Sequence, residues 1–318
     1  MAKSRKGRDS SLALMGWGVL MLLLGLGVGM LLSQQGCNRH QASAKQEGAA
    51  QKSEKKKGTV PPPPVAHKDN PRQEPPAKVN PPPEVAKPQP AEPPASLPSL
   101  ALIIDDLGYM QPELVTRLCS LPIPFSVAVL PYQEYTRESA EIAHRLGKEV
   151  MLHLPMEPIG YPAPGRDPGP DAVLFNLPEA EIRHRVRMAL DDIPYRAGVN
   201  NHMGSRITPD RARMSWVLQE LKSRKLFFVD SRTEKDSQGY ALAKELGIPT
   251  AQRKVFLDND KAFPEMEKQW ERAIKLAGVD GSVIIIGHIY PETVEALEKL
   301  VPRSKGRVRF VKASALVK

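Results

Sequence analysis

The chain has 318 residues, 41% of them hydrophobic, which is enough for one large folded domain or two ordinary ones. Its formal net charge of +9 is concentrated near the N-terminus, because residues 1–97 carry 14 Lys/Arg against 7 Asp/Glu and the remainder carries 31 against 29. The C-terminal part is therefore nearly neutral, which argues against nucleic acid as a partner. Only two cysteines occur, Cys37 and Cys119, so the sequence does not indicate a disulfide framework.

A basic N-terminal tail, residues 1–11, precedes 21 uncharged residues at 12–32 that are rich in Leu, Val, Met and Gly. About 20 apolar residues span a bilayer core as a helix, so residues 12–32 are predicted to be a transmembrane anchor. The basic flank predicts a cytoplasmic tail and an exported remainder. A cleaved signal peptide is the alternative, which the length of the run and the absence of a small-x-small site after it disfavour.

Residues 33–98 are predicted to be a disordered linker, Lys/Gln/Ala-rich at first and then proline-rich. Of the 32 prolines, 15 lie between Pro61 and Pro98. Such a segment buries too little apolar surface to fold and favours extended polyproline II. At about 3.1 Å per residue, the proline-rich part reaches on the order of 100 Å. We expect it to act as a spacer, and it also offers a site for a protein partner.

From residue 99 onward, short apolar runs alternate with segments of helical periodicity. The predicted strands are 100–104, 125–130, 149–152, 198–201, 226–229, 255–257, 283–286 and 308–311. The clearest predicted helices are 136–146, 178–190, 210–223, 237–246, 262–277 and 291–300, with Gly147, Gly247 and Gly278 just after three of them. About seven β/α repeats predict an α/β fold over residues 99–318, with a mainly parallel sheet curled into a barrel. The Pro/Gly-rich stretch 157–174 is predicted to be a long loop over the site or a plain surface insertion.

Polar side chains follow most of the predicted strands, and the carboxyl ends of strands in a parallel barrel converge on one face. The residues in question are Asp105, Asp106, His153, His202, Arg206, Asp230, Asp258 and His288. Adjacent carboxylates ionise together at low cost only when a cation or hydrogen bonds hold one of them. Two imidazoles and a carboxylate are a common ligand set for zinc or a related divalent ion. A turn or helix cap at Asp105-Asp106 is the alternative.

Four motifs together resemble the divergent branch of the polysaccharide deacetylases. They are Ile-Ile-Asp-Asp-Leu-Gly at 103–108, His-Leu-Pro-Met-Glu at 153–157, Asn-His-Met-Gly-Ser at 201–205 and Gly-His-x-x-Pro-Glu-Thr at 287–293. The resemblance covers roughly residues 99–315 and implies a distorted (β/α) barrel of about seven strands with a divalent metal, usually zinc, in its mouth. It implies metal ligands at Asp106, His153 and His202. It further implies Asp105 as the general base, His288 as the general acid, and Asp230 and Arg206 as residues that orient a histidine or polarise the acyl oxygen.

The main branch of that superfamily carries a His-x-x-x-His pair, whereas here His153 is followed four residues later by Glu157. Whether His153 or Glu157 completes the ligand set is open at this point. The resemblance implies a metal-dependent hydrolase that removes N-acetyl groups from a sugar polymer such as peptidoglycan. The alternative is an inactive glycan-binding or regulatory module.

Together with the N-terminal segments, the resemblance implies a single-pass protein of a bacterial inner membrane. Its C-terminal domain would lie in the periplasm, and its linker could contact an envelope protein. An energy transducer of the TonB type would also combine an anchor with a proline-rich spacer. Some 220 residues of β/α repeats are too many for the small terminal domain of that class.

Overall fold

A computed structural model describes residues 97–318. The predicted anchor at 12–32 and nearly all of the predicted linker lie outside the described residues. Within the described part, no helix combines the length and the apolarity that crossing a membrane requires.

The described chain alternates strands and helices as predicted. Its strands are β1 (Ser99–Leu107), β2 (Ser126–Val129), β3 (Glu149–Met156), β4 (Arg196–Met203), β5 (Phe227–Asp230), β6 (Thr250–Gln252), β7 (Val255–Phe256), β8 (Ser282–His288) and β9 (Arg309–Val311). Its helices are α1 (Pro112–Cys119), α2 (Thr136–Arg145), α3 (Glu179–Asp192), α4 (Arg211–Ser223), α5 (Gly239–Glu245), α6 (Phe263–Asp280) and α7 (Pro291–Arg303). A single 3₁₀ turn, Ala313–Ala315, follows β9.

All strands pair in parallel in one sheet of order β6-β5-β4-β3-β2-β1-β8-β7, with β9 paired to β1. The edge strands β6 and β7 are joined only by Arg253 and Lys254, so the sheet must curl until its two edges come close. The result is a partial barrel with a seam between β6 and β7. The expected parallel barrel is thus present. Eight of its nine strands match the eight predicted runs, although the resemblance implied a barrel of about seven strands. Strand β6 was not predicted because a three-residue run is too short to show a periodicity.

The sheet separates two apolar layers, because successive side chains of a strand point to opposite faces. The layer inside the barrel contains Ala101, Ile103, Met151, Val229 and Ile286, among others. The larger layer, between sheet and helices, contains Leu102, Ile104, Leu152, Phe228 and Ile285, among others. Both faces of the central strands are therefore buried, as is usual for parallel sheets.

Helix α6 corrects one predicted boundary. Gly278 was expected to follow the helix, but α6 continues to Asp280 and ends at Gly281, which has φ 76°. A left-handed residue terminates a helix because it turns the chain away from the helical path, and glycine adopts it without steric cost. Gly147 and Gly247, with φ 75° and 68°, follow α2 and α5 as predicted.

Candidate active site and metal centre

The site begins with an irregularity at the end of β1. Ile103 faces the barrel interior and Ile104 faces the helices, so regular alternation would place Asp105 inside and Asp106 outside. Asp106 instead has φ 66°, and the pairing of β1 with β2 shifts register between Ile104 and Leu107. This bulge turns both carboxylates toward the mouth of the barrel. Asp105-Asp106 is therefore neither a turn nor a helix cap, and it is almost completely buried.

Asp106, His153 and His202 converge on one point. Asp106 Oδ1 lies 3.0 Å from Nδ1 of His202 and 3.2 Å from Nε2 of His153, and the two nitrogens are 3.1 Å apart. The two histidines come from the adjacent strands β3 and β4, where His153 pairs with Asn200 and His202 lies two positions further along. Both follow interior-facing residues at a spacing of two, so both point into the barrel mouth.

This cluster fits a divalent metal ion. Ligand atoms that share a zinc ion at bond lengths of about 2.0–2.2 Å are spaced by roughly 3.0–3.5 Å. Asp106 Oδ1 is buried and has no hydrogen-bond partner of regular geometry, although two imidazole nitrogens lie within 3.2 Å of it. A cation shared with the two histidines would satisfy a buried carboxylate oxygen in that position. The donor set of one carboxylate and two imidazoles is typical of zinc and non-haem iron sites with open positions.

Asn200 orients both His153 and Asp105. Its amide nitrogen donates to Asp105 Oδ1 at 2.8 Å, which leaves its amide oxygen to accept from Nδ1 of His153, also at 2.8 Å. In the neutral imidazole of His153 the proton therefore sits on Nδ1, and Nε2 presents its lone pair to the cluster. Asn200 directly precedes the motif at 201–205, and no role was predicted for it.

The two carboxyl groups have opposite electrostatic environments. Burial raises the pKa of Asp105, and the charge of Asp106 adds to this effect against the lowering influence of His153 and His288. Burial also acts on Asp106, but the imidazoles of His153 and His202 outweigh it and hold the pKa of this carboxyl well below its usual range. The carboxyl of Asp106 therefore stays ionised, as a candidate metal ligand must. The raised pKa of Asp105 suits a general base.

His288 lies next to Asp105, because these two residues pair across β8 and β1. Its Nδ1 is 2.9 Å from Asp258 Oδ1, and the other oxygen of Asp258 accepts from the backbone N–H of His288 and from the hydroxyl of Thr293. Burial disfavours the imidazolium, yet Asp258, Asp106 and Asp105 together raise the pKa of His288 to about 9. The protonated form, which a general acid needs, is therefore favoured at neutral pH.

Asp230 requires a correction. Its carboxylate, fully buried, accepts from the hydroxyl of Ser237 at 2.7 Å and from the backbone N–H groups of Arg232 and Tyr240 at 2.8 and 3.0 Å. The residue two positions earlier, Phe228, faces the helices, so Asp230 faces the same way and joins β5 to the start of α5. Within the described residues it makes no hydrogen bond or ion pair with a histidine. The histidine-orienting role belongs to Asp258.

Arg206 and Glu157 form a separate ion pair at the end of β3 and β4. Nη1 of Arg206 donates to Glu157, whose second carboxylate oxygen accepts from the backbone N–H of Phe175 at 2.6 Å. The Arg206 guanidinium also lies 4.5 Å from the centre of the Phe175 ring. Glu157 is thus held by Arg206 and the loop and lies outside the cluster, whereas His153 is part of it. Of the two residues, His153 is therefore the candidate ligand. In the described part of the chain, Arg206 makes no bond to Asp105 or Asp106.

The loop 157–174 runs along the carboxyl ends of β3 and β4. A parallel bridge joins Met156 to Val173, in which the backbone N–H of Glu157 donates to Val173 and that of Val173 donates to Pro155, both at 2.9 Å. The backbone N–H of Ile159 donates to the hydroxyl of Ser205, close to His202 in the sequence. The loop therefore lies on the same face of the barrel as the candidate site.

A family model described as divergent polysaccharide deacetylase matches residues 102–317. The chain belongs to the divergent polysaccharide deacetylase family. The four sequence motifs that resemble this family lie at the carboxyl ends of β1, β3, β4 and β8.

Relatives of this deacetylase-family chain include an uncharacterized protein, YibQ, of Escherichia coli strain K12. It is 38% identical over 219 residues, which is 69% of this chain and 67% of the relative. An uncharacterized protein of Haemophilus influenzae is 34% identical over 199 residues, 63% of this chain and 69% of its own length. Among solved structures, the uncharacterized protein ATU2773 of Agrobacterium tumefaciens C58 superposes with a TM-score of 0.66 at 25% identity, covering 71% of this chain and 92% of that one.

Proposed function

We propose that this protein is a metal-dependent deacetylase that hydrolyses N-acetyl groups on a sugar polymer, with peptidoglycan as the nearest candidate. The observation that carries the proposal is that Asp105 and His288 lie next to each other on the adjoining strands β1 and β8, with Asp105 3.6 Å from His153 of the Asp106–His153–His202 cluster. This places a base and an acid beside one candidate metal site, which is the arrangement that amide hydrolysis needs.

Each residue has a distinct role in the proposed reaction. Asp106, His153 and His202 would hold a divalent ion, with zinc as the first candidate. Such an ion supplies a Lewis acid that lowers the pKa of water and polarises the acyl oxygen. Asp105 accepts a proton from the attacking water, and His288 donates a proton to the departing amine nitrogen as the C–N bond breaks. The products are acetate and a free amino sugar. Asn200 and Asp258 keep His153 and His288 in the required tautomer and orientation.

The alternative of an inactive module rested on the missing His-x-x-x-His pair. That argument is weakened, because β3 and β4 each supply one histidine to the same cluster without a helical pair. Binding of a glycan without release of acetate would restore the alternative.

The proposed location is a bacterial inner membrane, with residues 12–32 as a single-pass anchor and the barrel in the periplasm. The 21 uncharged residues, the basic flank before them and the proline-rich linker after them support this proposal. The linker would let the barrel act on a polymer at a distance from the membrane.

The proposed function is tested by measuring metal content and acetate release with the purified protein. About one divalent ion per chain is expected in the parent protein, together with acetate release from an N-acetylated oligosaccharide. Asp106→Ala and His202→Ala should both lose the ion and the activity. Asp280→Ala and His184→Ala, which replace exposed residues of the same types, serve as matched controls. A folded parent protein that binds no divalent ion would refute the proposed mechanism.

A further inference from the structure

A cavity of about 270 Å³ lies beside the candidate site, between the β6–β7 connection and helix α6. Arg253 and Lys254 of the connection line it, together with Phe256 of β7 and Arg272 of α6. It occupies the seam of the barrel, where the sheet leaves its two edges unpaired. None of the roles proposed above uses this cavity.

Phe256 connects the cavity with the catalytic residues. Its ring borders the cavity and stacks on the imidazole of His288, with ring centres 5.9 Å apart and planes inclined by 25°. The guanidinium carbon of Arg253 lies 3.6 Å from the centre of the same ring. A ligand in the cavity would therefore lie one aromatic ring away from the proposed general acid.

Arg253 is a largely buried cation without a carboxylate partner among the described residues. Its Nε donates to the backbone oxygen of Ser231 at 2.6 Å, and Nη2 donates to that of Arg232 at 2.7 Å. These neutral acceptors fix the guanidinium without neutralising it. Burial, only partly offset by Asp230 and Asp105, lowers the pKa of Arg253 to about 10, so the group remains charged at neutral pH. A fixed, uncompensated guanidinium favours a planar anion.

The remaining charges of the cavity leave an excess of cations. Lys254 and Arg272 also form no ion pair within the described residues, where Arg272 donates a hydrogen bond to the amide oxygen of Gln269 at 3.4 Å. Two acids also line the cavity, of which Asp260 keeps its charge and Glu265 is neutralised by an ion pair. Asp260 accepts from the backbone N–H of Ala262 at 2.9 Å, and Glu265 pairs with Lys268 at 3.0 Å.

We propose that this cavity binds a carboxylate carried by the sugar unit next to the one that is deacetylated. Three cations line the cavity without a carboxylate partner among the described residues, and Phe256 links the cavity to His288. The substrate class is thereby narrowed to acidic N-acetylated glycans. This inference rests on the proposed function for the identity of the reacting group.

The test compares two N-acetylated oligosaccharides that differ only in one group. One carries a lactyl carboxylate on the unit beside the reacting sugar, and the other carries the methyl ester of that carboxylate. Binding of each to the full chain is measured by calorimetry, and acetate release is measured separately. We expect the acid to bind about tenfold more tightly than the ester. Arg253→Gln should abolish the preference, and Lys254→Gln or Arg272→Gln should each reduce it about threefold.

Arg137→Gln is the matched control, because Arg137 is an exposed arginine on α2 whose nearest carboxylate oxygen lies 3.9 Å away. The control should keep the preference for the acid. Equal binding of acid and ester, or a preference that survives all three cavity variants, would overturn the inference. The Lys254 and Arg272 variants keep the test valid if Arg253→Gln fails to fold.

Because binding and acetate release are measured separately, the carboxylate subsite and the deacetylase activity are tested independently. A preference for the acid that depends on the cavity residues, without acetate release, would support the carboxylate subsite and refute the deacetylase. Acetate release from acid and ester alike, with equal affinities, would support the deacetylase and refute the subsite.

Discussion

At the scale of single residues, the candidate site depends on Asp106 leaving the alternation of its strand. A non-glycine residue with φ 66° is uncommon and costs energy. Here that conformation brings a second carboxylate to the face that Asp105 already occupies. The strained backbone of Asp106 lies within the candidate metal site, and strained residues are often found at functional sites.

Asp258 is the residue-scale determinant of the protonation of His288. Asp258→Asn should lower the pKa of His288 from about 9 toward its ordinary value near 6.5, because the largest favourable partner of the imidazolium is removed. A general acid is active while protonated, so the alkaline limb of the rate profile should move to lower pH. NMR titration of the His288 imidazole measures the same shift without requiring activity. Asp260→Asn, at an exposed position, is the control, and an unchanged His288 titration in Asp258→Asn would contradict the assignment.

The same ion pair predicts a pH dependence of stability. The folded-state pKa of His288 is raised, so its contribution is fully present below about pH 6.5 and is lost as the pH rises through about 9. The parent protein should therefore lose its stability advantage over Asp258→Asn across that interval. The difference in urea midpoint between the two proteins, measured from pH 6 to pH 10, follows this loss.

At the scale of elements, Asp230 attaches helix α5 to strand β5. Its carboxylate meets the backbone N–H of Tyr240 in the first turn, where the helix dipole favours negative charge. Gly239 permits this approach, since a Cβ there would lie 3.0 Å from Asp230 Oδ2. The role is structural, although the residue follows a strand in the same way as the site residues do.

Asp230→Ala should therefore lower stability while leaving metal binding intact. One buried donor, the hydroxyl of Ser237, and two partly buried backbone N–H groups would lose their acceptor, which costs about 2–4 kcal/mol in the free energy of unfolding. Urea unfolding and metal analysis of the same samples separate the two effects. Asp236→Ala, at an exposed position nearby, should change neither quantity. A stable Asp230→Ala protein that loses its metal would restore Asp230 to the site.

The packing of β4 on β5 depends on Gly198, which faces the ring of Phe227. A Cβ at Gly198 would lie 2.3 Å from a ring carbon, so Gly198→Ala should destabilise the protein by at least about 1–3 kcal/mol. Adding Phe227→Leu should recover part of this loss, which a double-mutant cycle measures. Gly278→Ala is a control of opposite sign, because this helical glycine has open space around it and alanine gains about 0.5–1 kcal/mol there. Additive effects at 198 and 227 would show that the two positions are not coupled.

At the scale of the whole molecule, a nearly neutral barrel follows a basic, proline-rich N-terminal third. If residues 12–32 anchor the chain, the full-length protein should remain in the membrane fraction after washing with concentrated salt. Deletion of residues 1–33 should move it to the soluble fraction. A salt wash is informative because it removes proteins held by surface charge alone. Release of the full-length protein by salt would contradict the anchor.

The sequence by itself determined the order of strands and helices and the parallel class of the sheet, because apolar periodicity is a local property. The positions that follow the strands were equally visible, and Asp105, Asp106, His153, His202 and His288 do come together. The family resemblance supplied their expected roles. The position of β6 and the end of α6 could not be predicted from the sequence. A three-residue strand shows no periodicity, and Gly278 lies inside the helix although glycine usually marks a helix end.

Only the tertiary structure decided which polar residues face the barrel mouth. Strands of a parallel sheet are apolar on both faces, so their sequences do not reveal which side chains point inward. Asp230 and Asp258 therefore look alike in the sequence, yet one anchors a helix and the other holds His288. The bulge at Asp106, the bridging position of Asn200 and the cationic seam at Arg253 likewise arise from strands brought together across the fold. Their roles are set by neighbours that are distant in the chain.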